Sequence, residues 1–204
     1  LHGLNASGRA PAAWTPEYFK RKYGDDRTSP PVRGWDAVTI PGAVSSWVAL
    51  SEKFGKLPFA DLMEPAVEVA ERGYAVPVVI QQKWVAASQV ADIVKQPGFA
   101  EVFLPRGRAP HVGEQHRMPG AAKALRAIGA TKGAAFYGGE IAEALARAAA
   151  EQGGAATVAD FAAYKPEWVE PLGQAYRGHT LHEIPPNGQG IAALIALGIL
   201  SQFD

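Results

Sequence analysis

Two pairs of histidines carry side chains that could bind a metal ion, and their spacing decides whether they can share one. His179 and His182 lie three positions apart in a run of β-forming residues. In an extended strand, side chains three positions apart point to opposite faces, so these two cannot converge on one ion. His111 and His116 superficially resemble a zinc motif, but their order and spacing differ from H-E-x-x-H, and Gly113 argues against a helix. We therefore predict a solvated loop there and no metal site in the chain.

A glycine motif near the end of the chain has the pattern of a dinucleotide-binding turn. Gly188 to Ala193 reads GQGIAA, which matches G-x-G-x-x-A between a predicted strand and a predicted helix. However, Pro185-Pro186 separates the strand from the glycines, and the chain upstream is helical instead of alternating between strands and helices. We therefore favour the alternative that the glycines let the final helix pack closely under a turn, and we predict no NAD and no other cofactor.

Patterns for nucleophilic or acid–base catalysis are not found in the sequence. No G-x-S-x-G motif occurs, and Ser45-Ser46 falls inside a predicted helix. The chain has no cysteine, which excludes a thiol nucleophile, a thiolate metal site and disulfide bonds. The acidic pair Asp25-Asp26 lies in a polar loop with nothing apolar around it. By residue patterns alone, the chain contains no recognisable catalytic constellation.

Composition narrows the class of protein and of partner. Twenty Lys and Arg balance twenty Asp and Glu, so charge does not indicate a nucleic acid or an anionic membrane as a partner. The longest apolar run, Ile191 to Leu200, is too short to span a bilayer. A chain of 204 residues can bury a substantial core, as one domain or as part of a larger one. Because Leu1 is not an initiator Met and no signal peptide follows it, we expect a fragment of a longer protein.

Most of the chain is predicted to be helical. The segment from Thr39 to Pro77 predicts two helices joined by a tight turn. Gly55 is expected to end the first of them in the left-handed conformation, which a residue without Cβ adopts most easily. Helix starts are also predicted at Thr15, as an N-cap, and at Thr157, which can form a capping box with Asp160.

Strand character appears only in residues 166–204. The runs Trp168 to Leu172 and Thr180 to Ile184 are rich in β-forming residues. A last helix, Ile191 to Gln202, is apolar on nearly all sides and is therefore predicted to be buried. The predicted fold class is a helix-rich α+β, mostly helical over residues 1–165, with the strands and the buried helix after them.

Three separated stretches of the chain resemble the large subunit of the γ-glutamyltranspeptidases and of their acylase relatives. The first is PGAVSSWVAL…FGKLPFADLMEPAVEVAERGYAVP, within Thr39 to Pro77, the second is FYGGEIA at residues 136–142, and the third runs over residues 176–191. They occur in the family's order, and the resemblance runs from about Leu4 to the end of the chain. It implies that residues 1–204 are a partial large-subunit domain of an αββα sandwich, in which two antiparallel sheets lie between layers of helices.

The resemblance also implies a chemistry. Family members are N-terminal-nucleophile hydrolases: a precursor cleaves itself, and the new N-terminal threonine of the small subunit attacks an amide. That threonine would lie beyond Asp204, so the expected partner is a small subunit, and no catalytic residue is assigned to this chain. The expected activity is hydrolysis or transfer of the γ-glutamyl group of glutathione-type amides. The alternatives are a cephalosporin or glutaryl-amide acylase of the same family, and a non-catalytic helical scaffold or binding domain. The resemblance favours the periplasm or secretion, and a cytoplasmic protein is the alternative.

One substrate-binding position of the family falls inside the chain. Members that use γ-glutamyl substrates carry an arginine that binds the α-carboxylate, in a segment ending Arg-x-x-Ala-Pro. With this ending aligned on Ala10-Pro11, Ser7 takes the place of that arginine, and an arginine follows at Arg9. A guanidinium can pair bidentately with a carboxylate, and a serine cannot. We therefore predict that Arg9 faces the substrate's carboxylate and that Ser7 adds a secondary hydrogen bond. The alternatives are that Arg9 only holds the loop, or that glutamyl substrates are not preferred.

Overall fold

The computed structural model describes residues 1–26, 29 and 31–203, and helices are the main elements of this part of the chain. The chain divides into two compact units. Unit 1 joins Leu1–Lys56 to Thr131–Asp204, and unit 2 is the continuous segment Leu57–Ala130. The predicted helix-rich α+β class is confirmed, because helices and short antiparallel strand pairs make up the described elements.

The helices are numbered in chain order. Those up to the middle of the chain are α1 (Pro16–Tyr23), a 3₁₀ helix (Trp35–Ala37), α2 (Ala43–Phe54), α3 (Phe59–Arg72), α4 (Val78–Ser88), α5 (Ala91–Val94) and α6 (Phe99–Phe103). The remaining ones are α7 (Pro119–Thr131), α8 (Ala134–Tyr137), α9 (Glu140–Glu151), α10 (Val158–Ala163) and α11 (Gly190–Leu200). Two predicted helix starts are confirmed, since Thr15 Oγ1 accepts a hydrogen bond from the Tyr18 N–H and Thr157 forms the capping box with Asp160.

In the part of the chain that the structure describes, the strands form three antiparallel pairs. In unit 1, β1 (Gly3–Asn5) pairs with β4 (Glu167–Val169), and β5 (Leu172–Tyr176) pairs with β6 (His179–Glu183). In unit 2, β2 (Tyr74–Ala75) pairs with β3 (Gln115–His116). The prediction that strands appear only in residues 166–204 is therefore wrong. The three earlier strands have two or three residues each, too few to show an alternating pattern, and a distant partner defines each of them.

The segment from Thr39 to Pro77 contains the two predicted helices, α2 and α3, and α2 ends at Phe54. Gly55 has φ −68°, so the left-handed conformation predicted for it is wrong. A glycine is required at this position because a side chain would not fit. A Cβ at Gly55 would lie 2.4 Å from the carbonyl oxygen of Ser51, which already accepts the Gly55 N–H at 2.8 Å.

The core of unit 1 brings together the segment before α2, helix α9 and helix α10. Its buried residues are Ile40, Ala142, Phe161 and Tyr164, and Phe161 is 1% exposed. Partly buried side chains pack around them, namely Tyr137, Leu145, Ala156 and Val158. Full burial of a side chain the size of Ile or Phe stabilises a fold by about 1.5–3 kcal/mol, so this cluster fixes the elements that carry it.

The last helix is less buried than its composition predicted. Leu194 is its buried residue, whereas Ile195 and Ile199 are each 57% exposed and Leu200 is 49% exposed. Helix α11 is apolar on all sides, but its main contacts among the described elements are with β5 and β6. One strand pair covers only one side of a helix, so the predicted burial is wrong for the other sides in this chain.

Among the described residues, no helix combines the length and the apolar character that crossing a membrane requires.

Candidate functional site

The loop that follows β1 carries both residues predicted to bind substrate. Strand β1 ends at Asn5, which lies opposite Glu167 in the β1–β4 pair. Ser7 and Arg9 come directly after it, and both are exposed. We call residues 5–12 the Arg9 loop. What this loop can do depends on how firmly its backbone is held.

The segment before α2 holds the middle of the Arg9 loop. The N–H of Ile40 donates a hydrogen bond to the carbonyl oxygen of Arg9 at 2.9 Å, and Ile40 itself is 2% exposed. A Cβ at Gly8 would lie 2.0 Å from the carbonyl oxygen of Ile40 and 2.6 Å from Thr39 Oγ1. Only a glycine fits this close approach of two backbones without a shift of one of them.

Tyr164 supports the loop directly, and Tyr137 supports the neighbouring segment before α2. The hydroxyl of Tyr164 donates to the carbonyl oxygen of Ser7 at 3.2 Å, and the hydroxyl of Tyr137 donates to that of Pro41 at 2.8 Å. The two rings stack with their centroids 5.8 Å apart. Burial raises the pKa of the Tyr164 hydroxyl, and the neighbouring Tyr137 raises it further. Tyr164 therefore stays protonated at neutral pH and acts as a donor to the loop.

The end of the loop is held by Asp160 of α10. Its Oδ1 accepts a hydrogen bond from the Ala12 N–H at 2.8 Å, while Oδ2 accepts one from the Thr157 N–H at 2.8 Å. Burial alone would raise the pKa of the Asp160 carboxyl, but these hydrogen bonds outweigh burial and lower it. One ionised carboxylate thus caps α10 and fixes the Arg9 loop at the same time.

The guanidinium of Arg9 forms an ion pair with a carboxylate of the chain itself. Its Nη2 pairs with Oε1 of Glu167, the first residue of β4, and the two side chains are 71% and 55% exposed. Glu167 is not predictable from the sequence as a partner of Arg9, because its proximity follows from the pairing of β1 with β4, which no local pattern predicts. Arg9 is therefore positioned by an acidic partner at the surface of unit 1.

Asparagines complete the polar surface of the loop. Asn5 Oδ1 accepts a hydrogen bond from the Ser7 N–H at 3.0 Å, and Asn5 Nδ2 lies 3.4 Å from Asn187 Oδ1. Asn187 belongs to the third family-like stretch, so the structure brings that stretch and the Arg9 loop together. Ser7 takes part through its backbone here: its N–H donates to Asn5 and its carbonyl oxygen accepts from Tyr164.

Strand β4 is held next to the loop by an aromatic cluster. The ring of Trp168 meets the ring of Phe54 edge to face at 5.8 Å, and His2 lies 6.4 Å from the Trp168 ring. The ammonium of Lys53 lies 3.8 Å from the centroid of the Trp168 ring. Such a cation–π contact is worth about 0.5–1 kcal/mol at exposed sites. These contacts fix the strand that presents Glu167 to Arg9.

His179 and His182 lie on the same strand, β6. On β6, His179 lies opposite Tyr176 and His182 lies opposite Gly173. The prediction of a solvated loop is wrong for His116, which lies on β3, is 3% exposed and packs against the ring of Trp84 at 4.6 Å. Burial lowers the pKa of its imidazole. Within residues 1–26, 29 and 31–203, no three His, Cys, Asp or Glu side chains form a metal-binding group.

The glycine motif lies against an acidic side chain. Helix α11 begins at Gly190, and a Cβ on Gly190 would lie 2.3 Å from Oε2 of Glu183, the last residue of β6. In a dinucleotide site, a phosphate group takes the place beside the first turn of the helix. Here a carboxylate lies at that place. The close approach permitted by Gly190 is thus to the Glu183 side chain.

A buried carboxylate in unit 1 is the other feature that the sequence analysis missed. Asp36 lies in the 3₁₀ helix Trp35–Ala37, and its side chain is 1% exposed. Its oxygens accept hydrogen bonds from Tyr18 at 2.9 Å, Tyr23 at 2.7 Å and Lys22 at 2.5 Å. Burial would raise the pKa of Asp36, but these three donors outweigh burial and lower it. The cluster ties α1 to the 3₁₀ helix, and every acceptor and donor in it is paired.

Unit 2 has its own carboxylate cluster. Glu114 accepts hydrogen bonds from Arg106 at 2.6 Å, from Arg108 at 2.9 Å and from the His111 N–H at 2.9 Å. The His111 backbone and then Arg108 lower the pKa of Glu114 to about 2, with Arg106 adding to the effect. These three hydrogen bonds hold the loop before β3 against the Glu114 carboxylate.

Comparison with known proteins places the whole chain in one family. The sequence model of the γ-glutamyltranspeptidase family matches residues 1–204. The glutathione hydrolase-like YwrD proenzyme of Bacillus subtilis (strain 168) is 34% identical over 201 residues, which cover 98% of this chain and 37% of that protein.

Solved structures agree with the sequence match. The cephalosporin acylase from Bacillus halodurans aligns with a TM-score of 0.93 and 42% identity, over 100% of this chain and 38% of the acylase chain. The γ-glutamyltranspeptidase from Pseudomonas nitroreducens aligns with a TM-score of 0.86 and 28% identity, over 98% of this chain and 58% of the transpeptidase chain. This chain thus spans less than two thirds of the length of each of these relatives. Nearly the whole of this chain matches part of each relative, in sequence and in fold. The chain belongs to the γ-glutamyltranspeptidase family.

Proposed function

We propose that this chain supplies the large-subunit part of an enzyme that hydrolyses an amide or transfers its acyl group. The observation that carries the proposal is the family match over all 204 residues. The nucleophile is a threonine outside the chain, at the start of a small subunit that self-cleavage of a precursor releases. The B. subtilis relative is itself a proenzyme, which supports such processing.

The substrate class follows from the Arg9 loop. We propose that the acyl group carries a free carboxylate, as γ-glutamyl and glutaryl groups do, and that Arg9 binds it. Arg9 is the only Lys or Arg between Leu1 and Phe19. A carboxylate held away from bulk water requires a positive partner. Anchors at Ser7, Arg9 and Ala12 fix the loop backbone, which supports a defined position for the guanidinium.

A second candidate is an acylase that prefers glutaryl-type or cephalosporin amides. Two points favour it: by the resemblance to the family, Ser7 takes the place of the arginine of glutamyl-using members, and the acylase from B. halodurans shares 42% identity with this chain. Both candidates use the same nucleophile and the same loop. They differ in whether the acyl group carries an amino group beside its carboxylate.

The experiment starts from the full-length protein that contains this chain. We expect it to cleave itself into two subunits, with threonine as the first residue of the smaller one, as mass spectrometry and N-terminal sequencing would show. The processed protein is then assayed with γ-glutamyl-, glutaryl- and valeryl-p-nitroanilide, three acyl groups of the same chain length. Hydrolysis of either carboxylate-bearing anilide supports the proposal, and the faster one selects between the two candidates. A protein that neither cleaves itself nor hydrolyses any of the three would be the non-catalytic scaffold.

A further inference from the structure

The two asparagines of the chain contact each other, and one of them is followed by a glycine. Nδ2 of Asn5 donates to Oδ1 of Asn187 at 3.4 Å, across 182 positions of sequence. We propose that Asn187 is a site of spontaneous covalent modification, at which the side chain closes on the backbone nitrogen of Gly188 and is converted to aspartate and isoaspartate. The chemistry needs neither a small subunit nor a substrate, so it is independent of the proposed function.

The reaction is an intramolecular attack on an amide. The Gly188 N–H loses its proton to hydroxide, and the nitrogen forms a bond to Cγ of Asn187. The Cγ–Nδ2 bond then breaks, the side-chain nitrogen takes up a proton and leaves as ammonia, and a five-membered succinimide ring remains. Water opens this ring at one of its two carbonyl carbons. Opening at the side-chain carbonyl gives aspartate, and opening at the backbone carbonyl gives isoaspartate.

The turn before α11 leaves the attacking nitrogen unhindered. Asn187 and Gly188 lie between β6 and α11, and both are exposed. Among the described residues, the Gly188 N–H donates no hydrogen bond, and nothing lies within 4 Å of the place that a Cβ of Gly188 would take. A glycine has no side chain to keep its nitrogen away from Cγ, and its backbone is the least restricted. Ring closure is therefore sterically open at this peptide bond.

Asn5 supplies a donor to the atom on which negative charge develops. As the bond to Cγ forms, Oδ1 of Asn187 becomes an oxyanion, and a hydrogen-bond donor beside it stabilises the transition state. The other end of the Asn5 amide fixes its orientation, since Oδ1 of Asn5 accepts the Ser7 N–H at 3.0 Å. At 3.4 Å the bond to Asn187 is long, so we expect it to change the rate by about two- to tenfold, the equivalent of one neutral hydrogen bond.

Both products change the contact between the two asparagines. Aspartate places a negative charge where Asn5 now meets a neutral amide, in the turn that leads into α11. Isoaspartate also adds a methylene group to the main chain of this turn, which displaces the oxygen that accepts from Asn5. Because Asn5 holds the Ser7 N–H as well, the modification acts on the Arg9 loop.

The test follows the modification in the full-length protein that contains this chain. Samples are incubated in neutral and in mildly alkaline buffer, peptide mapping by mass spectrometry detects the loss of ammonia and the gain of water, and enzymatic methylation counts isoaspartate. We expect both products at Asn187, formed faster in the alkaline buffer because the Gly188 N–H must lose its proton. Asn5 is the internal control, since Ala6 follows it and β1 pairs with β4 around it. A free peptide of residues 183–193 gives the reference rate. If Asn187 in the protein stays unmodified for as long as this peptide takes to react fully, the proposal is overturned.

Two variants test the mechanism. Gly188→Ala fits the open space around Gly188, so we expect unchanged thermal stability and a severalfold slower modification. An unchanged rate would overturn attack by this nitrogen.

Asn5→Asp keeps an acceptor for the Ser7 N–H but replaces the donor that faces Asn187 by a carboxylate oxygen. We expect it to slow the modification about two- to tenfold. Asn5→Ser, whose hydroxyl can also accept from the N–H two residues ahead, serves if the Asp variant does not fold. Equal rates in these variants and in the unmodified sequence would overturn the role of Asn5.

Discussion

The hydroxyl of Tyr164 donates a hydrogen bond to the carbonyl oxygen of Ser7 at 3.2 Å, across 157 positions of sequence. Tyr164 is 6% exposed and belongs to the core of unit 1, whereas Ser7 is at the surface. The bond therefore transmits the rigidity of the core to the Arg9 loop. Loss of this one bond can therefore be measured in two ways, as a change in stability and as a change in substrate binding.

Tyr164→Phe removes only that hydroxyl. We expect the free energy of unfolding to fall by about 0.5–1.5 kcal/mol, the usual net contribution of one hydrogen bond. KM for the carboxylate-bearing anilides should rise, because the loop loses an anchor, while KM for the valeryl anilide stays the same. Urea unfolding and steady-state kinetics measure the two effects. Tyr176→Phe is the control, since its hydroxyl forms no hydrogen bond with the described residues; an equal effect there would contradict the role of the Tyr164 bond.

Gly8→Ala should displace the loop. The added Cβ would lie 2.0 Å from the carbonyl oxygen of Ile40, so one of the two backbones must move. We expect a loss of about 1–3 kcal/mol in stability, as for other overpacked sites, together with weaker glutarate binding. Thermal unfolding and calorimetry test this. Gly120→Ala, where a Cβ meets nothing within 4 Å in α7, should leave stability unchanged or raise it. Unchanged stability and binding in Gly8→Ala would show that the loop adapts.

Arg9→Ala tests the proposed carboxylate partner. Loss of a charge-assisted contact costs about 1.5–3 kcal/mol, so kcat/KM for the carboxylate-bearing anilides should fall roughly ten- to a hundredfold. The valeryl anilide should be hydrolysed as before. Arg21→Ala, at an exposed arginine of α1, is the matched control. If Arg9→Ala leaves every substrate unaffected, Arg9 only holds the loop. If Ser7→Arg alone then raises γ-glutamyl turnover, the arginine is missing from its family position.

Asp36→Asn tests the buried carboxylate cluster. In this variant Lys22 keeps only a neutral partner at position 36. Because the Lys22 side chain is one-third exposed and partly hydrated, we expect the free energy of unfolding at pH 7 to fall by about 1–3 kcal/mol. The folded-state pKa of Asp36 is lowered, so its stabilisation is present above the unfolded-state pKa of about 3.9 and is lost as pH falls through the folded value. Asp36→Asn should therefore flatten the acid limb of the stability curve. Asp26→Asn, at an exposed site, should not; an unchanged acid limb in Asp36→Asn would rule out this role.

Glu114→Gln makes the corresponding prediction for unit 2. The folded-state pKa of Glu114 is about 2, compared with 4.5 for an unperturbed glutamate. Between these two values the unfolded chain binds the additional proton, so stability must fall as pH decreases from 4.5 to 2. We expect Glu114→Gln to reduce that slope in urea titrations at several pH values. Glu101→Gln on α6 serves as the exposed control. Equal slopes for all three proteins would contradict the shifted pKa.

Local signals explain what the sequence predicted correctly. Thr15 and Thr157 begin helices because their side chains accept hydrogen bonds from residues three positions ahead, so the whole signal lies within four residues. The end of α2 at Phe54 was predicted for a similar reason, although the conformation of Gly55 was not. Its glycine is required by the nearby Ser51 carbonyl oxygen, which only three-dimensional packing reveals.

Distant pairings explain what the sequence did not predict. Strand β1 has three residues, and only its antiparallel pairing with β4 makes it a strand. The same pairing brings Glu167 to Arg9, and the packing of α1 against the 3₁₀ helix buries Asp36. Ser7 and Arg9 themselves were chosen by family resemblance, and their roles toward substrate stay predictions. The loop could thus be identified from the sequence, whereas its acidic partner could not.

The division of the chain into units affects how it is made on the ribosome. Unit 2 is one continuous segment, whereas unit 1 needs both Leu1–Lys56 and Thr131–Asp204. The nascent β1 must therefore wait for β4, which is synthesised about 160 residues later, or roughly 8 to 30 s at typical translation rates. During that interval, unit 2 has its complete segment available for folding. The Arg9 loop consequently takes its shape late, and premature association of the unpaired β1 edge with another chain is the hazard of that delay.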